Sequence, residues 1–127
     1  MSGIFLEHVN VTVSDPIKSA ELLCELFDWH IRWQGKAKDD GYTVHVGDDH
    51  CYIALYKSPN SVKTNASSYV SFGGLNHIAL VVDDLDKTEQ RVLAAGYKTH
   101  NHGNYEPGRR FYFNDADDIE YEIVNYA

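Results

Sequence analysis

Cysteine is scarce in this chain: two among 127 residues, Cys24 and Cys51, with no Cys-x-x-Cys spacing. A disulfide framework and a thiolate zinc site are both excluded on that count. Each thiol is expected to be reduced and partly buried, packing as a small hydrophobe. Basic residues are few as well, eleven Lys and Arg against nineteen Asp and Glu, for a formal charge of -8. Such a surface repels polyanions, so nucleic acid is not an expected partner. No apolar run approaches the roughly 18 to 20 residues that span a bilayer. The opening "MSGIFLEHVN" has neither the basic start nor the apolar core of a signal peptide. The expectation is a cytoplasmic protein with no membrane partner. Hydrophobic and charged residues, at 43% and 24%, are in ordinary globular proportion, which excludes disorder and collagen-like repeats.

What is present is an ordered succession of elements. In "SDPIKSAELLCELFDW", Asp15 suits an N-cap and Pro16 the first helical position, where a missing N–H costs nothing. Ile17, Leu22, Leu23, Leu26 and Phe27 share one side of a 3.6-residue period, which predicts a helix from about Pro16 to Phe27 pressed on a sheet. Alternating segments follow around His30 to Gln34, Tyr42 to Val46 and Cys51 to Lys57, separated by the turn signals "KAKDDG" and "GDDH". They imply a meander. The Ser- and Asn-rich stretch beginning at Ser58 reads as a linker with an edge segment at Tyr69 to Phe72. In "LNHIALVVDDLDKTEQRVLAAGY" the order strand, acidic cap, helix, glycine returns. Val92, Leu93 and the alanines supply the buried side of that helix, and Gly96 its stop. Arg109 to Phe113 and Ile119 to Tyr126 close the chain as two more strands.

The repeat is regular. Leu6, His8 and Asp15 lie 69 residues before Leu75, His77 and Asp84 respectively. In the first strand Val9, Val11 and Val13 point one way while His8, Asn10 and Thr12 point the other. In the second, Ile78, Leu80 and Val82 oppose His77, Ala79 and Val81. The apolar faces belong against the helices, which leaves both histidines on the opposite face of their sheets. A chain of this length fits one domain around one core, with room for two modules of about residues 5–57 and 74–127 joined by a linker at 58–73.

"LEHVNVTVSDPIKSAELLCELFDW", "LNHIALVVDDLDKTEQRVLAAGY" and the terminal "FYFNDADDIEYEIV" together resemble the vicinal oxygen chelate superfamily, the group of glyoxalase I, fosfomycin and bleomycin resistance proteins, and extradiol dioxygenases. The resemblance covers essentially the whole chain. It implies an α+β fold of paired βαβββ modules forming a U-shaped mixed sheet with a central cleft, commonly completed as a homodimer, and a divalent metal in the cleft. Carried over residue by residue, it implies His8, His77 and Glu122 as metal ligands. The counterpart of Glu122 in the first module is Ala54, which departs from the glyoxalase pattern because a methyl group neither binds a metal nor carries a proton. Two imidazoles and one carboxylate form the facial set used by non-haem Fe(II) sites, and Mn2+, Ni2+, Co2+ or Zn2+ also suit it. The alternative is that the trio forms polar lining of a small-molecule pocket.

Other side chains are candidates for the chemistry. Glu120 shares a strand face with Glu122 and suits a supporting role. Tyr52 or Tyr56 can donate a hydrogen bond to a chelated substrate, His100 or His102 can move a proton, and whichever of Arg109 and Arg110 faces inward can clamp a substrate carboxylate. Tyr56, His102 and Arg110 are the catalytic candidates among them. "NDADD" lacks the central glycine and ligand pattern of a calcium loop and reads as a strand-connecting turn, with Asp118 where the family has glycine. The expected function is that of a metal-dependent enzyme acting on a small oxygen-chelating substrate, extradiol-dioxygenase-like in its ligand set. Two alternatives are a glyoxalase I-like lyase and a metal-free binding or resistance protein.

Overall fold

A computed structural model describes residues 3–106 and 108–126. The chain divides into two compact units, one running to Lys63 and the other beginning at Thr64. Each unit carries the order strand, helix, three strands, giving two βαβββ modules.

The first unit holds β1 (His8–Thr12), α1 (Pro16–Phe27), β2 (His30–Ala37), β3 (Gly41–Gly47) and β4 (Tyr52–Lys57). Its sheet is ordered β1-β4-β3-β2, with β1 parallel to β4 and the other pairs antiparallel. Helix α1 begins as expected: the Asp15 carboxylate accepts from the Lys18 N–H at 3.1 Å, and Pro16 opens the first turn. It stops at Asp28, which adopts a left-handed conformation and donates its N–H to Cys24 O. The buried stripe is Pro16, Ala20, Leu23 and Leu26, set against Val44 and Val46 of β3 and Ile53 and Leu55 of β4. Ile17, expected on that stripe, is exposed because the helix turns Pro16 and Ala20 inward instead.

The second unit holds β5 (Ile78–Val81), α2 (Leu85–Ala94), β6 (Thr99–Tyr105), β7 (Gly108–Asn114) and β8 (Glu120–Asn125), in the order β5-β8-β7-β6. Asp84 caps α2 through the Lys87 N–H at 3.0 Å. The buried side of α2 is Leu85, Thr88 and Val92, while Leu93 and Ala94 face solvent, so the expected alanine-rich stripe is replaced by a narrower one. Beneath it lie Phe111, Phe113, Tyr121 and Ile123, with the rings of Phe113 and Tyr121 stacked 5.2 Å apart. The expected edge segment at Tyr69 to Phe72 is a 3-10 turn, Ser68–Val70, capped by the Ser67 hydroxyl accepting from the Tyr69 N–H.

Two local features place side chains used below. In the turn before β8, Asp115 accepts from the N–H groups of Asp117 and Ile119 at 2.9 Å each, and Asp118 takes φ 64. That positive φ is left-handed backbone, which aspartate tolerates only at some cost. In β6, two residues, Asn101 and His102, face one on β7, forming a β-bulge with Asn101 at φ 51.

Candidate functional site

The face of each sheet away from its helix carries the candidate residues, and the strand register matches the two units to one another. His8 pairs with Tyr52, and Asn10 with Ala54, across the parallel β1–β4 ladder. In the second unit Ala79 pairs with Glu122 across β5–β8. Since Asn10 and Ala79 are equivalent in the repeat, Ala54 is the structural counterpart of Glu122. The carboxylate of the second unit is therefore a buried methyl in the first.

In the second unit, His77 stands immediately before β5 and Glu122 in the middle of β8. His77 Nε2 lies 3.2 Å from Glu122 Oε1. The other carboxylate oxygen, Oε2, accepts from Arg110 Nη1 at 2.8 Å, and both side chains of that ion pair are largely buried, 13% and 9% exposed. Arg110 is on β7, where strand alternation turns it and Tyr112 toward Glu122 while Phe111 and Phe113 go to the helix side. Its guanidinium also lies 4.8 Å from the centre of the Tyr105 ring. Gly103 allows this: a Cβ there would meet Tyr105 Cε1 at 2.5 Å. The Glu122 charge that Arg110 balances also acts on Tyr112, whose hydroxyl is held above its ordinary pKa by burial first and by Glu122 second.

On its other side, His77 Nδ1 lies 3.3 Å from the Tyr69 hydroxyl oxygen and 3.6 Å from Glu120 Oε1. Tyr69 donates its proton to Glu120 Oε1 at 2.5 Å. That bond, with burial of the hydroxyl and the Glu120 charge behind it, pushes the Tyr69 pKa up to about 12, so the group stays a phenol at neutral pH.

In the first unit, the His8 ring stacks on Tyr52, 4.6 Å between centres and 11° from parallel, and its Nδ1 lies 2.9 Å from Glu7 Oε1. Tyr52 stacks in turn on His45, and His45 meets Trp33, so a row of four rings crosses β1, β4, β3 and β2. His45 sits directly across from Ala54 in the β3–β4 register. Burial lowers its pKa, and the charges of His8 and Arg32 lower it further, which keeps the ring neutral and able to accept a proton.

The remaining expected site residues have other partners. Tyr56 lies on the right face of β4, but its ring lies over Gly41 and its hydroxyl donates to Lys38 O at 2.6 Å. His102 lies on the helix side of its sheet, paired with Glu89 of α2 at 2.5 Å and stacked on Phe111. The β-bulge is the reason: two residues apart, His100 and His102 would share a face in a regular strand, whereas here His100 stacks on Tyr112 and bonds Asn114 on the Glu122 side. Arg109 likewise turns to the helix, pairing with Asp86. Sequence reasoning passed over Tyr69 and Tyr112. Tyr112 is recoverable from alternation along β7, but nothing in the Ser-rich stretch around Tyr69 marks its hydroxyl for a histidine eight residues on.

Two ligand atoms on adjacent corners of an octahedron with bonds of about 2.1 Å lie about 3.0 Å apart, so the His77–Glu122 pair fits a shared divalent ion. Among the described residues, no group of three or more His, Cys, Asp or Glu side chains is gathered to hold a metal. No helix among them is long and apolar enough to cross a membrane.

A repeated βαβββ unit whose helix-free sheet face carries histidine and glutamate is the module of the vicinal oxygen chelate proteins. The chain belongs to the glyoxalase/bleomycin resistance protein/dioxygenase superfamily, whose family model matches residues 5–123. It is similar to the solved glyoxylase/bleomycin resistance protein/dioxygenase domain from Frankia sp. EAN1pec, at 23% identity over 100% of this chain and 99% of that one, with a TM-score of 0.80. It is also similar to the fosfomycin resistance protein FosX from Listeria monocytogenes, solved with Mn(II) and sulfate, at 21% identity over 100% and 94% of the two chains and a TM-score of 0.74. A third likeness is to TnmS3, an antibiotic binding protein from Streptomyces sp. CB03234, at 17% identity over 100% and 99%, with a TM-score of 0.74. At these identities the likenesses bear on the fold. No curated protein matches the chain in sequence.

Proposed function

We propose that the protein is a divalent-metal-dependent enzyme acting on a small molecule with two neighbouring oxygen atoms, with His77 and Glu122 as ligands. The observation that carries this reading is the 3.2 Å approach of His77 Nε2 to Glu122 Oε1. His8 enters as the further ligand only through the superfamily resemblance. Fe2+, Mn2+, Ni2+ or Zn2+ held by these residues would stabilise negative charge developing on substrate oxygens, and iron would add chemistry with O2.

The chain's own residues divide the other tasks. Arg110 fixes the Glu122 carboxylate by one oxygen and leaves the other for the ligand role. It is thereby drawn away from clamping a substrate. Proton movement falls to His45 and His100, which lie on the candidate faces of their sheets, in place of His102. Tyr52, whose ring adjoins both His8 and His45, lines this face in place of Tyr56, with its hydroxyl engaged by Glu7. Mn(II) in the FosX structure supports metal use in this fold. A homodimer in the cytoplasm is part of the same proposal.

A second reading, a metal-free binding protein, is favoured by the Arg110–Glu122 pair, which already neutralises the carboxylate, and by the four-ring row ending at exposed Trp33. TnmS3, an antibiotic binding protein, shares the fold. Elemental analysis of untagged protein, with anaerobic Fe(II) or Mn(II) loading, separates the two. Near-stoichiometric metal that is lost in His8→Ala, His77→Ala and Glu122→Ala supports the enzyme reading, and no metal after loading refutes it. Oxygen uptake with catechols against turnover of hemithioacetals then divides a dioxygenase from a glyoxalase-like lyase.

A further inference from the structure

We propose that the first unit's sheet carries a binding subsite for a planar aromatic acid, which stacks on Trp33 and His45, hydrogen-bonds Thr43 Oγ1 and turns its anionic group to Arg32. The subsite uses none of the metal ligands named above and stands apart from the metal-dependent reading.

Thr43 carries the argument. It lies in β3 and is only 5% exposed, yet its Oγ1 has no hydrogen-bond partner among the described residues. Alternation along β3 sends Val44 and Val46 to the helix side and leaves Thr43 and His45 on the opposite face. A buried hydroxyl without a partner is costly, and this one can both donate and accept. The ladders flank it with Gly35 on β2 and Tyr56 on β4. The Trp33 indole lies over Gly35, where a Cβ would come within 2.9 Å of Cζ2, and the Tyr56 ring lies over Gly41. Tyr56 is pinned, because its hydroxyl donates to Lys38 O at 2.6 Å. Trp33 is 52% exposed on an edge strand, so lifting the indole from Gly35 uncovers the floor beside Thr43 at little loss of buried area.

The surroundings of that floor select the ligand. Its walls are rings, with Trp33 and His45 5.3 Å apart between centres, and flat aromatic walls favour a flat aromatic guest. A register shift between Ile31 and Trp33 bulges β2 at Arg32, which brings two consecutive side chains to one face: Trp33 meets His45, and the Arg32 guanidinium lies 4.6 Å from the centre of the Tyr52 ring. Arg32 is held there by the backbone carbonyl of Asp48, at 3.1 Å from Nη1. The Asp48 carboxylate is turned instead to the N–H groups of His50 and Cys51, at 2.8 Å each. In a chain of net charge -8, a guanidinium fixed by a neutral oxygen gives this patch the sign that suits a carboxylate.

The test is a 1H–15N titration of the full chain with 4-hydroxybenzoate, following the Trp33 indole N–H, with Trp29→Phe assigning which of the two indole signals belongs to it. Cyclohexanecarboxylate, with the same charge and no planar ring, is the comparison. The expected result is a saturable shift of Trp33 with 4-hydroxybenzoate and a much weaker one with cyclohexanecarboxylate. Thr43→Val keeps the side-chain shape and removes the hydroxyl, so it is expected to weaken binding by roughly 3- to 10-fold while melting higher than wild type. Gly35→Val fills the floor and is expected to abolish the response. Equal responses to the two acids, or no response of Trp33 at millimolar 4-hydroxybenzoate, overturn the proposal. So does a Thr43→Val variant that binds as wild type does, and one that melts no higher shows a hydroxyl already satisfied by water and counts against it too. The titration is run without metal and with Zn2+, and the same response is expected in both, so that failure of the metal reading and failure of the subsite are told apart.

Discussion

Asp115 offers a measurement that depends on one side chain. Its carboxyl is mostly buried in the turn before β8, and burial raises its pKa from 3.8 to about 6, against the opposing effect of the Ile119 and Asp117 N–H donors and with help from the charges of Asp117 and Asp118. Between those two values the folded protein holds a proton that the unfolded chain has released. Stability therefore falls as pH rises through this window and levels off above about 6. A shift of that size corresponds to about 3 kcal/mol at full effect, and solvent reaching the partly open turn reduces it to roughly 2 kcal/mol. Asp115→Asn keeps a carbonyl oxygen for the two N–H groups and removes the titration. Urea unfolding of both proteins from pH 3.5 to 7.5, with the difference in free energy plotted against pH, isolates Asp115 from every other group. The variant is expected to gain about 2 kcal/mol on wild type between pH 4 and 7, with any fixed cost of the amide appearing as a constant offset. A flat difference curve, or one of opposite slope, would refute the account of this turn.

Three further outcomes are expected. Arg110→Met leaves the buried Glu122 carboxylate without its guanidinium, so the variant should melt at lower temperature than wild type. Added Mn2+ should raise its melting temperature more than it raises that of wild type, and equal shifts would count against Glu122 as a ligand. Glu89 is held below its ordinary pKa by the Thr99 hydroxyl and His102, which outweigh the upward effect of its burial, so its contribution is present above about pH 4.5 and disappears as pH falls through the lowered value. Thr99→Val should reduce stability at pH 6 more than at pH 3, read by urea titration at each pH. Asp118→Gly relieves a left-handed residue at φ 64 while losing the bond from Asn114 Nδ2, for a net gain of under about 1 kcal/mol in denaturant unfolding.

How far the sequence carried depends on whether a feature is local. Helix α1 is legible in its bounds because its signals are all in one segment, an Asp-Pro cap and an apolar stripe ending at Phe27. The two histidine strands are legible because the same order of residues occurs twice. Strand β6 is not, since "THNHGNY" has no apolar alternation and is held as a strand by pairing with β7. The site divides in the same way. The equivalence of Ala54 and Glu122 came from the superfamily resemblance, since the 69-residue offset of the repeat pairs Glu122 with Ile53, and the ladder registers agree with Ala54. The partners of Tyr56 and Arg110 could not, because a tyrosine lying over Gly41 and an arginine bridging to Glu122 depend on cross-strand neighbours that no short window contains.

The bulge in β6 has a consequence for how such a chain can change over generations. One additional residue, with Asn101 at positive φ, delivers His100 and His102 to opposite sides of a sheet whose buried layer stays in place. Because β6 is an edge strand, losing or regaining that residue alters the register of a single neighbour. Deleting Asn101 would leave His100 and His102 as neighbours in a regular strand and still on opposite faces, so a codon is lost or regained there while each imidazole keeps its side and every residue of the apolar core is inherited unchanged.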